Sequence, residues 1–323
     1  MSQAQNEKLA NTITEARSSP LRWSVLGLIA LVQLMLALDA SVVNVALPEV
    51  QQTLGISDDA RQWVVTAYAL IFGALLLLGG RVADSVGRKR ALLTGLVGFA
   101  VASALGGLAT TAWVIFLARG LQGAFAALMA PAGLAILSVT FTRTKERGIA
   151  FGVYGGVSGA GVAIGLVVGG LLTQYTSWRW CLLINVPVGL VALAIGLVVL
   201  AESRAAGKTR YDVPGAVAST LGLTSLIFGI TEGQEKGWTA AATVSALVAA
   251  TVLLGAFVVI ETRSKHPLLP LRIVLHRSRA GAYLTSLLSG TGLFGVFLFL
   301  SYYMQGIRDY SPLHTGWHSY PPP

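Results

Sequence analysis

The chain has 323 residues, 54% of them hydrophobic and 11% charged, with a formal net charge of +9 and a single cysteine, Cys181. Soluble domains carry about 25% charged residues, so this composition argues against a water-solvated globule, and one cysteine excludes an intrachain disulfide. The positive charge does not point to nucleic acid, because the basic residues sit in short segments between apolar runs.

Crossing a hydrocarbon core of about 30 Å takes about 20 apolar residues. In chain order, such runs predict nine membrane helices, near 23–46, 62–80, 91–109, 112–139, 148–172, 180–200, 213–231, 240–260 and 280–304. A tail, 1–22, precedes the first. Its charges (Glu7, Lys8, Glu15, Arg17) and the length of the first apolar run argue against a cleaved signal peptide. Basic residues alternate in density from loop to loop. The tail and the loops after spans two, four, six and eight hold 18 of the 23, whereas the other side has Arg61, Arg179, Lys236 and Arg308. The positive-inside rule then puts the N-terminus in the cytoplasm of a multi-pass cell-membrane protein.

Two strong charges fall inside spans: Asp39 in span one and Arg119 in span four. Intramembrane charges are costly and face a cavity or a partner. Asp39 lies about 12 Å from the outer end of span one and Arg119 about 9 Å from that of span four. Arg119 either snorkels to the outer headgroups or meets Asp39. Gln122 and Gly123, on its own helical face, favour the pair. All four histidines lie in loops, and no span carries a His/Asp/Glu cluster, a nucleophile–base pair or a phosphate-cradling loop. An enzyme is therefore not expected.

The first cytoplasmic loop reads GGRVADSVGRKR, 79–90, with Gly80, Asp84 and Gly87 punctuating an expected tight turn and Arg88, Lys89 and Arg90 holding it to the cytoplasmic face. It resembles the G-x-L-A-D-x-x-G-R-[RK] signature of the major facilitator superfamily, with Val82 in the leucine position. LDASVVNVALP (38–48), WVVTAYAL (63–70), LARGLQGAFAA (117–127) and SWRWCLLINVPVG (177–189) agree. Together they resemble the 14-helix drug:proton antiporters of the EmrB/QacA type. DVPGA (212–216) and the two spans after it look like the extra pair that this subfamily inserts between its six-helix halves. Span five departs: where the antiporters have G-P-x-x-G-G, this chain has GLVVGG (165–170), with Leu166 in the proline position. Gly165, Gly169 and Gly170 either serve close helix packing or mark a bend that proline loss stiffens.

The resemblance implies an all-α integral membrane protein of the major facilitator fold. A six-helix bundle is expected over 23–200, two linker helices over 201–265, and the start of a second bundle over 266–323. It implies proton-coupled efflux of small hydrophobic or cationic drugs, no cofactor beyond the proton gradient, and partners limited to lipid, protons and substrate. Inverted three-helix repeats place spans one and four at the central cavity, so Asp39 and Arg119 are the expected coupling pair. Gln33, Asn44, Tyr68, Gln122 and Asn185 are the cavity candidates. Asp84 is expected to latch the cytoplasmic side, with Arg88, Arg143 and Arg147 as nearby basic candidates.

The last residues, WHSYPPP after Gly316, do not continue the apolar pattern. Back-translated with chosen codons and read one base out of frame, Trp317 to Pro322 become Leu-Ala-Phe-Leu-Pro-Pro. The expectation is a one-base loss after Gly316; the alternative is a natural short tail. With a single helix in place of a second half, the chain is expected to transport poorly. A non-transporting remnant or membrane interaction module is the alternative reading.

Overall fold

The structure, a computed structural model, describes residues 21–204, 212–264, 267, 269 and 276–302. The expected N-terminal tail up to 20, residues 205–211 of the 6–7 loop, most of the 8–9 loop and the tail from 303 onward lie outside the described residues.

Among the described residues every regular element is a helix: α1 (Leu21–Leu54), α2 (Asp58–Arg61), α3 (Trp63–Val86), α4 (Arg88–Gly107), α5 (Ala112–Thr140), α6 (Thr144–Tyr175), α7 (Arg179–Leu183), α8 (Asn185–Val199), α9 (Val213–Lys236), α10 (Ala241–Arg263) and α11 (Arg277–Tyr302). Among the described residues, eight spans are long and apolar enough to cross a membrane: α1, α3, α4, α5, α6, the α7–α8 pair, α9 and α10. The ninth expected span coincides with α11, a 26-residue helix outside that set of eight.

Local sequence accounts for the element ends. α1 runs past its expected end at 46 and through Pro48, because Val50 is still buried against Val64 and Trp178 in one apolar cluster. Span six is interrupted at Ile184. Pro187 has no N–H to give the carbonyl of Leu183, and the next amide, Val188, reaches Ile184 O only at 3.5 Å. Ser57 caps α2 by accepting from Ala60 N.

The core is two apolar clusters stacked along the helices. One contains Leu28, Met35, Leu92, Phe99, Met129 and Ala192; the other contains Val42, Val64, Ala109, Ile115, Trp178 and Leu182. α1, α5 and the α7–α8 span each pass from one cluster to the other, and α4 leads from the first to Ala109 of the second, just past its end. Each carries a buried polar residue at the crossing: Asp39, Ser103, Arg119 with Gln122, and Asn185. The polar layer is thus sandwiched between two greasy ones.

Lipid offers apolar helices little hydrophobic gain from association, so close packing through small residues carries more of it. A Cβ on Gly79 of α3 would collide with the Ala127 carbonyl of α5, and one on Gly123 would lie 2.5 Å from Tyr68 O. On α6, a Cβ at Gly165 would run into Ser41 Oγ and one at Gly169 would lie 3.1 Å from Val42 Cα, both on α1, whereas Gly170 has nothing within 4 Å. Gly165→Ala should cost about 1–3 kcal/mol through overpacking, whereas Gly170→Ala, in open space inside a helix, should be neutral or stabilise by up to about 1 kcal/mol. Chemical unfolding in detergent checks this; equal losses would mean that the glycine face does not act by packing.

The α9–α10 hairpin lies against α3. Thr220 Oγ1 donates to Ala74 O at 3.1 Å, a Cβ at Gly73 would meet Ile227 Cδ1 at 3.7 Å, and the Phe228 ring sits 6.0 Å from the Trp63 ring.

Candidate functional site

The polar layer is one connected network. Arg119 Nη1 donates to Asp39 Oδ2 at 2.7 Å and to Gln122 Oε1 at 2.9 Å, and Arg119 Nε donates to Val64 O at 3.0 Å. Asp39 Oδ1 accepts two amides, Gln122 Nε2 at 2.9 Å and Asn185 Nδ2 at 2.7 Å. Gln122 Nε2 also donates to Ser103 Oγ at 2.7 Å. The Tyr68 ring closes one side, with the Arg119 guanidinium carbon 4.5 Å from its centroid. Asp39, Arg119, Gln122, Ser103 and Asn185 are each at most 2% exposed.

The geometry follows from placement. Arg119 and Gln122 are three apart on α5, so both face α1. A buried ion pair is stable only when extra hydrogen bonds satisfy its remaining valences. Here both carboxylate oxygens are used, and the guanidinium fork reaches three acceptors. Arginine stays charged in proteins, so the carboxyl is the member of the pair that can take a proton.

The structure gathers four of the expected site residues, Asp39, Arg119, Gln122 and Asn185, and stacks Tyr68 on them. Gln122 and Asn185 are both buried within the network. Gln33 is half-buried on α1, and Asn44 is exposed, its amide turned back to Ala40 O at 2.8 Å. Sequence reasoning missed Ser103 and the Val64 carbonyl. Ser103 carries a faint signal, as a hydroxyl amid alanines and glycines in span three. A backbone acceptor carries none.

At the cytoplasmic end the expected loop 79–90 is mostly helix. α3 continues through Gly80 and Asp84 to Val86, α4 starts at Arg88, and the turn is Gly87 alone, at φ +119°. Nothing in RVADSV breaks a helix, and only glycine adopts that φ without strain. A Cβ at Gly80 would meet Pro131 at 3.5 Å, so this glycine contacts a helix and does not shape a turn. Arg88 bridges the turn, donating through Nε and Nη2 to Asp84 Oδ1 at 3.1 and 3.0 Å. The other two basic candidates are engaged elsewhere: Arg143 pairs with Glu146 at 3.7 Å, and Arg147 lies over the Phe151 ring.

Glu202, which sequence reasoning passed over, organises this turn. Its Oε1 accepts from Lys89 N at 3.2 Å, its Oε2 pairs with Arg90 at 3.6 Å, and its carboxylate fills the space a Cβ at Gly87 would need. Lys89 Nζ donates to the carbonyls of Leu197 and Leu200 at 2.9 and 2.6 Å, capping the end of α8.

Comparison with known proteins places this arrangement. Residues 29–321 match the Major Facilitator Superfamily profile. The chain is 52% identical over 298 residues to the puromycin resistance protein pur8 of Streptomyces alboniger, covering 92% of this chain and 59% of that protein. It is 40% identical over 285 residues to the cephamycin export protein CmcT of Amycolatopsis lactamdurans, covering 87% and 59%. It is 37% identical over 303 residues to the tetracenomycin C resistance and export protein of Streptomyces glaucescens, covering 93% and 56%. The chain therefore spans a little over half the length of these relatives. With the match running through nearly all of the described helices, the chain belongs to the major facilitator superfamily.

Proposed function

We propose that this chain supplies the proton-coupling half of an exporter that moves hydrophobic small molecules out of the cell in exchange for protons. The observation that carries the reading is the Asp39–Arg119 pair, buried and hydrogen-bonded across α1 and α5. The relatives' names point to antibiotics as the substrate class. The α9–α10 hairpin, seated on α3 and falling in chain order between the first bundle and α11, supports the 14-helix subfamily.

Asp39 accepts two hydrogen bonds at Oδ1 and one at Oδ2, so the remaining lone pair on Oδ2 is open to a proton, which neutralises the carboxylate. With the proton on Oδ2, Arg119 faces a neutral carboxyl in place of its charged acceptor and keeps Val64 O and Gln122 Oε1. The tie of α5 to α1 at Asp39 then loses its ionic part and rests on neutral hydrogen bonds such as Gln122 Nε2 to Oδ1, so the two helices can rock apart. Discharge of the proton on the opposite side restores the pair. With the N-terminus cytoplasmic, uptake is from outside and release is inside.

The test uses inside-out vesicles carrying the transporter at the full length of its relatives, with an acidified lumen. Adding ethidium should release lumenal protons, seen as recovery of quenched acridine orange. Ethidium export that persists undiminished after nigericin collapses the gradient would overturn proton coupling.

A further inference from the structure

The buried network and the cytoplasmic turn are joined by one helix. α8 begins at Asn185, whose amide is bonded to Asp39 Oδ1, and ends at Val199, about 22 Å away at the helical rise. At that far end Lys89 Nζ holds Leu197 O and Leu200 O, and Glu202 grips Lys89 N and Arg90. The segment after α8 also holds the turn through its backbone, with Arg88 N donating to Ser203 O at 2.9 Å. Arg88 in turn holds Asp84.

α8 is guided along its length. A Cβ at Gly189 would sit 3.3 Å from Ala100 Cβ, and one at Gly196 would sit 2.8 Å from Leu93 Cδ2, both on α4. Glycine at these two places leaves α8 close to α4 with no side-chain knob to lock it. Polar bonds hold its two ends. Proline interrupts the helix just above Asn185, so the α8 part can shift without dragging α7.

We propose that Asn185 is a positioning residue for Asp39, and that α8 transmits the charge state of Asp39 to the Gly87 turn through Lys89 and Glu202. The inference rests on Asp39 as the coupling group. With Asp39 ionised, its oxygen holds Asn185 and keeps α8 in register, and the turn is clasped. When Asp39 is neutral, that hold weakens, α8 slips along α4, and the Lys89 and Glu202 contacts loosen. Asp84 and Arg88 are then free to change partners at the moment the proton is loaded. The two-state element is the clasped or unclasped turn, biased at both ends of one helix.

The experiment reads the turn directly in the 323-residue chain in lipid nanodiscs, without transport. Cys181→Ser removes the native thiol, and Val86→Cys, at an exposed position beside Gly87, carries a nitroxide. Asp39→Asn should raise the label's mobility. Asn185→Ala should raise it similarly, and adding Asp39→Asn to Asn185→Ala should change nothing more. Ser103→Ala, which removes the network's link to α4 and not to α8, should leave the Asp39→Asn response intact. If Asn185→Ala does not fold, Lys89→Ala at the cytoplasmic end of the linkage should likewise abolish the response to Asp39→Asn. An unchanged spectrum in Asp39→Asn overturns the proposal, as do independent, additive effects of Asp39→Asn and Asn185→Ala. Loss of proton coupling in the vesicle assay with an intact label response would sink the exporter mechanism and leave this linkage standing.

Discussion

Asp39→Asn in the transporter at the full length of its relatives should reduce gradient-driven export to the level of vesicles lacking the transporter, while leaving the protein in the membrane. Asparagine is nearly isosteric and keeps one acceptor oxygen, so Arg119 retains Val64 O, Gln122 Oε1 and the Tyr68 face. What disappears is the one group in the network able to gain and lose a proton. Uptake in everted vesicles, normalised to the amount of protein in the membrane, measures it. Wild-type gradient-driven export from Asp39→Asn would remove Asp39 from the mechanism.

Arg119→Met carries the larger stability effect. It leaves the Asp39 carboxylate buried with amide donors but no cation, and removing one partner of a buried pair costs about 3–5 kcal/mol. Arg119→Lys should fall between it and the native protein, because lysine keeps the charge but cannot span Asp39, Gln122 and Val64 with one planar fork. In the Asp39→Asn/Arg119→Met double variant both charges are gone, and most of the loss should be recovered, since apolar or neutral replacements of buried pairs are often close to neutral. Denaturant titration in detergent of the two single variants and the double variant measures this. A double variant as unstable as the sum of the singles would show that the two side chains do not interact energetically.

The spans were legible because lipid imposes a length and a composition that no other environment demands. Asp39 and Arg119 were legible for the same reason: a charge inside an apolar run is conspicuous, and helical rise gives its depth. Asn185 was legible as a polar residue but not as a partner of Asp39, because its position depends on the interruption at Ile184 and on how span six rotates against span one. The loop 79–90 misled in the opposite direction. Its glycines and charges read as a turn, yet arginine, alanine and aspartate are compatible with helix, and α3 continued until Gly87. Glu202 was invisible because an acid in a basic loop looks like a solvated charge, and only the fold brings it beside residues 87–90, more than a hundred positions earlier.

The buried pair also sets a schedule for biosynthesis. Asp39 and Arg119 are 80 residues apart in the chain, and Asp39 and Asn185 are 146 apart. At about 5–20 residues per second, the carboxyl is made about 4–16 s before its cation and about 7–29 s before its last amide donor. Span one therefore leaves the ribosome carrying an acid that has no partner yet. During that interval the first helix is held in the bilayer by its own apolar length, and the ribosome's pace decides how long it must wait for span four.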